Sequence, residues 1–353
     1  MEEIQQFLTA AVERGASDIF IISGLPVSLK VDGKIQPIGE EMIMPEKANA
    51  LVRQLYDLAE RDISRFLSSG DDDYSLSVKG LSRFRVCAYR QRGSMAAVIR
   101  TIAFGLPDRR TLGLPDEVIQ VAHRTQGLVL VTGPAGSGKS TTLATITSEI
   151  NHTRSAHIIT IEDPIEYLHR NDKSVISQRE VRNDTESYVT ALRASLRQAP
   201  DVILLGEMRD LETIKTAMTA AETGHLVLAT LHTIGAANSV DRIIDVFPPE
   251  QQQQIRVQLS MVLQSVITQQ LIPNVNGGLT PAFEIMHVNN AIRNMIRDSK
   301  VHQIDTVIHT SAAEGMVSMD GSLLALYREG RIDQQTVIRY AVHPEQIERR
   351  LHT

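Results

Sequence analysis

The chain has little of what a disulfide scaffold or a nucleic-acid platform is built from. Cys87 is the one cysteine among 353 residues, which excludes an internal disulfide and a multi-cysteine metal site and fits a reducing compartment. Tryptophan is absent and aromatic residues make up 4% of the sequence, so few side chains can stack on single-stranded nucleic acid. The net charge of −6 also gives no electrostatic reason to expect a nucleic-acid partner.

Membrane and export signals are missing from the sequence as well. No apolar run approaches the ~20 residues that a helix needs to span a bilayer. The chain opens with Glu2 and Glu3 rather than with the basic and apolar regions of a signal peptide. We therefore expect a cytoplasmic protein whose contact with a membrane goes only through partners.

The first hundred residues mix two periodicities. Apolar residues at helical spacing predict helices over residues 2–14 and 45–58. Alternating runs, with a turn at Asp32-Gly33, predict antiparallel strands between and after them. Residues 1–104 are therefore predicted to form a separate α+β domain.

Two local expectations concern this first domain. Asp71, Asp72 and Asp73 stand together after a helical stretch, and a run of like charges of this kind is usually a solvated turn. Cys87 sits in an alternating apolar run, and we expect it to be a small buried residue.

The rest of the chain is predicted to be an α/β domain. Residues 105–115 hold two prolines and two glycines, which break both periodicities and predict a linker. From residue 116 to 353 strands and helices alternate, an order typical of a parallel sheet covered on both faces. A long helix is predicted from residue 249 to about 271, followed by a helical tail to the end.

The stretch Gly-Pro-Ala-Gly-Ser-Gly-Lys-Ser-Thr has the spacing G-x-x-x-x-G-K-[ST] of a phosphate-binding loop. It follows a predicted strand at 127–132 and precedes a predicted helix, which is the context that this loop requires. Backbone N–H groups and the helix dipole then face the phosphates, the lysine reaches the β- and γ-phosphates, and the serine hydroxyl ligates Mg²⁺. The candidate nucleotide contacts are Gly133, Pro134, Ala135, Gly136, Ser137, Gly138, Lys139, Ser140 and Thr141.

Hydrolysis also needs a carboxylate that orients water, and two acidic groups follow predicted strands. Glu162, Asp163 and Glu166 come after the strand at 157–161. Glu207 follows an apolar strand as in a Walker B element, but Gly206 stands where an aspartate would close the strand. A carboxylate one position later and one methylene longer fits a contact with Mg²⁺ through water. That leaves the base role to Glu166.

Histidines and arginines supply further candidates with open alternatives. His225 and His232 bracket a strand of some ~23 Å, too long for one metal ion to bind both. A sensor, a polar link to the neighbouring strand and a purely structural role all stay open for them. The arginines fit either fingers that act on phosphates or ordinary ion pairs. The arginines considered are Arg83, Arg85, Arg100, Arg193 and Arg197.

Together these blocks resemble the secretion-ATPase superfamily, and within it the PilT-type ATPases that retract type IV pili. The matching blocks are the Walker A box at 133–141, the Asp box at 159–166, the Walker B box at 206–210 and the His box at 224–232. Residues 291–296, Ala-Ile-Arg-Asn-Met-Ile, are similar to the AIRNLI motif linked to retraction. Gly-Ala-Ser-Asp at 15–18 and Arg-Phe-Arg-Val at 83–86 are similar to the family's PAS-like first domain.

The resemblance implies a homohexameric ring with ATP and Mg²⁺ as cofactors. Each subunit would join a PAS-like domain to a RecA-like P-loop ATPase domain with a helical C-terminal tail, and nucleotide would sit between the two. By motif it implies Glu166 as general base, Glu207 near Mg²⁺, and His225 and His232 as His-box residues. Arg85 and Arg100 match the small-domain arginines that approach the phosphates.

The resemblance further implies a motor at the inner face of the cytoplasmic membrane, acting through an inner-membrane platform protein of the pilus machine. The single cysteine rules out the tetracysteine zinc loop that assembly and type II export ATPases usually carry, which favours the retraction branch. The alternatives are the same engine in pilus assembly or secretion, a DNA-translocating RecA-like motor, and a nucleotide-binding scaffold without catalysis.

Overall fold

The computed structural model describes residues 2–31, 33–102 and 105–351, and these fall into two compact units. The first unit comprises the chain up to residue 105 together with residues 166–168, and the second comprises the remainder. Asp32 of the predicted turn and residue 104 of the predicted domain boundary lie outside the described residues. Within the described residues, no helix combines the length and apolar character needed to cross a bilayer.

The first unit is built on a six-stranded antiparallel sheet with the order β3-β2-β1-β6-β5-β4. Its helix α2 has proline at its first turn and buries Leu51, Val52 and Leu55, the apolar face that the helical spacing predicts. The strands are β1 (Asp18–Ile21), β2 (Ser28–Val31), β3 (Lys34–Pro37), β4 (Asp71–Val78), β5 (Ser82–Gln91) and β6 (Ser94–Ile102). The helices are α1 (Glu2–Glu13), α2 (Pro45–Leu58) and α3 (Ser64–Ser69).

Two local expectations for this unit are wrong. The three aspartates belong to β4, and Asp72 is buried, where it accepts hydrogen bonds from Tyr56 Oη at 3.0 Å and Arg61 Nε at 2.9 Å. Arg61, three residues after the end of α2, supplies the cation that stabilises the buried carboxylate of Asp72, whereas Asp71 and Asp73 are exposed. Cys87 is exposed, because the strand period of two points Val86 into the core and the thiol outward.

The second unit is built on a seven-stranded sheet with the order β13-β12-β7-β11-β10-β8-β9. Six neighbouring strands of this sheet run parallel, namely β12, β7, β11, β10, β8 and β9, whereas β13 is antiparallel to β12. The strands are β7 (Gly127–Thr132), β8 (His157–Glu162), β9 (Val175–Glu180), β10 (Val202–Leu205), β11 (Leu226–Leu231), β12 (Leu263–Pro273) and β13 (Leu279–His287).

Helices cover both faces of this sheet. Alternate residues of β7 show it: Leu128 and Leu130 pack into the layer formed with α7, α8 and α9, whereas Val129 and Val131 pack against α5. The helices are α4 (Asp116–Ile119), α5 (Lys139–Thr153), α6 (Tyr188–Ser195), α7 (Leu211–Glu222), α8 (Ala236–Asp245), α9 (Pro249–Val262), α10 (Asn290–Arg297), α11 (Ile304–Thr310), α12 (Met319–Arg328), α13 (Gln334–Tyr340) and α14 (Pro344–Leu351).

The predicted helix to residue 271 is wrong in its second half. The helix α9 ends at Val262, and the apolar run that follows is β12, which lies between β7 and β13. An apolar run fits a helix or a strand equally well. Here the run forms a strand because its backbone groups pair with β7 on one side and with β13 on the other. The helical tail is present, but it begins at α10, after β13.

Candidate functional site

The phosphate-binding loop joins β7 to α5 and packs closely on β12. Gly133 has a φ of +141°, and a Cβ there would lie 2.2 Å from the carbonyl oxygen of Gln269. Gly138 has a φ of +87°, and a Cβ there would lie 2.9 Å from Nε2 of the same glutamine. Thr142 in α5 donates to Gln269 Oε1 at 2.6 Å. Close approach to the backbone of β12 and backbone conformation both require glycine at position 133, and the positive φ favours glycine at position 138.

Lys139 begins α5 and is almost fully buried. Its ammonium group donates to the carbonyl oxygens of Gly133 and Pro134, each at 2.9 Å, and lies 3.4 Å from Nδ1 of His232. These contacts hold the amine over the loop, at the position from which it can reach a phosphate. Ser137 in the same loop is buried, and its hydroxyl has no hydrogen-bond partner among the described residues. A phosphate oxygen would provide one.

Glu207 and His232 come together although 25 residues separate them. His232 Nε2 lies 3.2 Å from Glu207 Oε1, and Arg209 Nε donates to Glu207 Oε2 at 2.6 Å. With Lys139 donating to Nδ1, Nε2 carries the proton and donates to the carboxylate. The result is a polar chain from the lysine through the imidazole to the acid.

Tyr188 explains why glycine ends the Walker B strand. A Cβ on Gly206 would lie 2.8 Å from the Tyr188 hydroxyl, so the tyrosine takes the place of an aspartate side chain. Burial first, and then the carboxylates of Asp163 and Glu207, raise the pKa of Tyr188, which keeps the hydroxyl protonated. No sequence motif marks Tyr188 for this position, because α6 brings it to the strand end from outside the motifs.

The three carboxylates of the Asp box have different surroundings. Glu162 at the end of β8 accepts from Thr160 Oγ1 at 2.6 Å and from Gln178 Nε2 at 3.3 Å. Asp163 faces Arg182 at 3.9 Å. Glu166 is exposed and belongs to the three residues that group with the first unit.

The remaining histidine and arginine candidates have local partners. His225 caps the end of α7, with Nδ1 2.9 Å from the carbonyl oxygen of Ala220. Arg193 pairs with Glu212 at 3.2 Å, and Arg197 donates to the carbonyl oxygen of Arg193. These contacts are local, and the Arg193 side chain is still 59% exposed.

Arg85 and Arg100 lie in the first unit. They stand directly opposite each other on β5 and β6. Arg100 Nε donates to Asp18 Oδ1 at 3.1 Å, but the arginine side chain is still 65% exposed. An ion pair this open leaves the guanidinium accessible to another anion.

The donor set suits a magnesium ion held jointly with phosphates. Ser140 and Glu207 offer a hydroxyl and a carboxylate, the hard oxygen ligands that Mg²⁺ prefers. Both carboxylate oxygens of Glu207 already accept hydrogen bonds, which fits a contact through water. No group of three or more His, Cys, Asp or Glu side chains that could hold a metal ion occurs in the described part of the chain.

The fold and the loop geometry define a P-loop nucleotide-binding protein with an added N-terminal sheet domain. The chain belongs to the Type II/IV secretion system protein family, whose model matches residues 1–336. This confirms the resemblance drawn from the sequence blocks and the predicted fold class.

Individual relatives match along almost their whole length. The chain is 44% identical over 344 residues to the type IV pilus retractation ATPase PilT of Pseudomonas aeruginosa, covering 97% of this chain and 99% of that protein. It is 43% identical over 338 residues to a twitching motility protein of Neisseria gonorrhoeae, covering 96% and 90%. A crystal structure of the pilus retraction motor PilT with bound ADP matches with a TM-score of 0.90 at 44% identity, over 98% of each chain.

Proposed function

We propose that this protein is an ATP-hydrolysing motor that powers type IV pilus retraction. The observation that carries the proposal is similarity along the whole chain to a retraction ATPase, across the added sheet domain as well as the nucleotide-binding unit. The reaction is ATP + H₂O to ADP and phosphate. The loop geometry and the polar chain through His232 support it independently of the relatives' names.

The site divides the chemistry among a few side chains. Lys139 binds the β- and γ-phosphates, and the loop N–H groups hold the phosphate oxygens. Mg²⁺, when bound, neutralises charge on the β- and γ-phosphates. Ser140 would ligate it directly and Glu207 through water. His232 links Lys139 to Glu207, so that a change at the phosphates reaches the carboxylate. Glu166 takes the proton of the attacking water.

The motor is a homohexameric ring in this proposal. Arg85 and Arg100 of the first unit add positive charge to the transferred phosphate, a role that the accessible guanidinium of Arg100 supports. The ring works at the inner face of the cytoplasmic membrane and acts on an inner-membrane platform protein of the pilus machine.

Steady-state hydrolysis tests the enzymatic part. Glu166→Gln should bind ATP as the parent does and lose turnover by about 100-fold or more, because the amide cannot take a proton. Lys139→Ala should lose binding as well. Parental turnover in Glu166→Gln would overturn the base assignment, and hydrolysis that DNA stimulates would favour a DNA-translocating motor.

A count of surface pili by electron microscopy tests the biological part. Cells that lack this gene should carry more pili than the parent and should lose surface motility. Cells without pili would instead assign the protein to assembly. An unchanged count would assign the same engine to another machine, such as a secretion system.

A further inference from the structure

Glu166 lies in a three-residue excursion, residues 166–168, which Ile165 and His169 flank. Residues 166–168 group with the first unit, whereas Ile165 and His169 on either side belong to the second. A three-residue excursion of this kind is placed by its two ends. The groups that hold Ile165 and His169 therefore determine where Glu166 can lie.

Both ends are held by side chains of the strand β9. The backbone N–H of Ile165 donates to Glu180 Oε2 at 3.1 Å, and the backbone N–H of His169 donates to Gln178 Oε1 at 2.9 Å. Gln178 and Glu180 are two residues apart on β9, so their side chains lie on the same face of the strand. One short edge strand thus clamps the entry and the exit of the excursion.

The two clamping side chains are themselves fixed. Glu180 is 3% exposed, and its Oε1 accepts from Asn183 Nδ2 at 2.9 Å. Gln178 donates through Nε2 to Glu162 Oε1 at 3.3 Å, and Thr160 Oγ1 donates to the same oxygen at 2.6 Å. The clamp is therefore tied to β8 as well as to β9.

The chain beyond the excursion is tied to the helix that follows the phosphate-binding loop. Asn151 in α5 is 3% exposed, donates to the carbonyl oxygen of Arg170 at 2.8 Å and accepts from the N–H of Asp172 at 3.2 Å. Since α5 begins with Lys139, the chain after the excursion is hydrogen-bonded to the same helix that carries the phosphate-binding lysine.

We propose that Gln178 and Glu180 are positioning residues for Glu166, an inference that rests on the proposed function. A base works only within hydrogen-bond reach of the water it deprotonates, and displacements of about 1 Å can cost ~100-fold in rate. The two anchors set the position of Glu166 without contact with nucleotide. Their loss lowers the rate of the chemical step and leaves the binding of ATP unchanged.

Turnover of the full-length variants Glu180→Ala and Gln178→Ala tests this. We expect kcat to fall by about tenfold or more with KM for ATP within about twofold of the parent. Glu180→Gln keeps an acceptor oxygen and should recover most of the lost kcat. Ser177→Ala, on the opposite face of β9 where the hydroxyl lies 3.0 Å from His157 Nε2, is the matched control and should keep parental kcat.

Hydrogen exchange at the amides of Ile165 and His169 gives a second measurement, which does not depend on turnover. It should speed up at Ile165 in Glu180→Ala and at His169 in Gln178→Ala, but not in Ser177→Ala. Unchanged exchange, a parental kcat, or a Glu180→Gln variant as slow as Glu180→Ala would overturn the positioning role. If Glu166→Gln keeps its turnover, the base assignment itself fails, which is a separate outcome.

Discussion

At the scale of single residues, the central feature of the nucleotide site is Lys139, whose ammonium group makes hydrogen bonds within the phosphate-binding loop itself. Lys139 is held by two carbonyl oxygens of its own loop and lies beside His232. Burial of an ammonium group is costly unless its protons are all directed at acceptors. The loop carbonyls therefore stabilise a buried lysine in the orientation that phosphate binding requires.

His232→Ala tests whether the contact between Lys139 and Glu207 through the imidazole contributes to turnover. The substitution removes the link between Lys139 and Glu207, so we expect kcat to fall by about 10- to 100-fold with a smaller change in KM. Steady-state ATPase assays measure both values.

His225→Ala is the matched control for that substitution. His225 belongs to the same sequence box but caps α7, so its loss should reduce the free energy of unfolding by about 1 kcal/mol and leave kcat unchanged. Equal kcat values for His232→Ala and the parent would contradict a role for the imidazole in turnover.

At the scale of elements, the helix α10 that carries the AIRNLI-like motif supports the end of its neighbour. Arg293 Nη1 donates to the carbonyl oxygens of Ser260 at 2.7 Å and Met261 at 3.0 Å, in the last turn of α9. The last carbonyls of a helix have no partner within it, and a cation suits the negative end of its dipole.

Arg293→Ala should therefore lower the free energy of unfolding by about 1–2 kcal/mol. Urea denaturation measures the change. Asn294→Ala, at the exposed neighbouring position, should stay within about 0.5 kcal/mol of the parent. A parental stability for Arg293→Ala would contradict the capping role and would leave the motif to contacts outside the chain.

Glu284 in β13 supports the start of a further helix. It is 6% exposed and accepts from the N–H of Ala236, the first residue of α8, at 2.7 Å. Burial raises the pKa of Glu284, since the low-dielectric surroundings disfavour its charge. A raised pKa in the folded state means that the carboxyl stabilises the fold most below its ordinary pKa and loses this contribution as pH rises through the raised value.

Glu284→Ala should lower the free energy of unfolding by about 2 kcal/mol, because the buried N–H of Ala236 loses its acceptor. This loss of stability should be larger near pH 5 than at pH 7, because a carboxyl with a raised pKa stabilises the fold more at the lower pH. Urea denaturation at both pH values measures it. Glu348→Ala, which removes an exposed carboxylate from α14, should show a small difference at both. A deficit that grew with rising pH would contradict the raised pKa.

At the scale of the whole molecule, acid stability should depend in part on the half-buried His169. Burial, and then the charge of His152, lower the pKa of His169 from 6.5 to about 4. A histidine with a lowered pKa contributes stability above about pH 6.5 and loses it as pH falls toward about 4, because the unfolded chain then binds the proton more readily.

His169→Gln should accordingly flatten the loss of stability between pH 6.5 and 4, an effect on the order of 2–3 kcal/mol. Thermal or urea denaturation across that interval measures it in both proteins. His309→Gln, at an exposed position of α11, should change the acid profile little. A profile of His169→Gln that parallels the parent would show that other groups govern acid unfolding.

The elements with strong local signals could be predicted from the sequence. The strand Gly127–Thr132 and the helix Pro45–Leu58 have the predicted bounds, and the loop between β7 and α5 follows from its glycine and lysine spacing. The same spacing identified Lys139. The apolar strand that precedes Glu207 identified that carboxylate. Each of these signals depends on neighbours in the chain, which the sequence alone supplies.

Only the tertiary structure decided which distant groups meet. It made residues 263–273 a strand, placed Gln269 against the phosphate-binding loop, brought Tyr188 to Gly206 and set Gln178 and Glu180 beneath both ends of the Glu166 segment. The strand β9 carries no strong local pattern, and an apolar run such as β12 fits either conformation. Hydrogen bonds to residues far along the chain settle both, because a strand is stabilised by its neighbours in the sheet rather than by its own sequence.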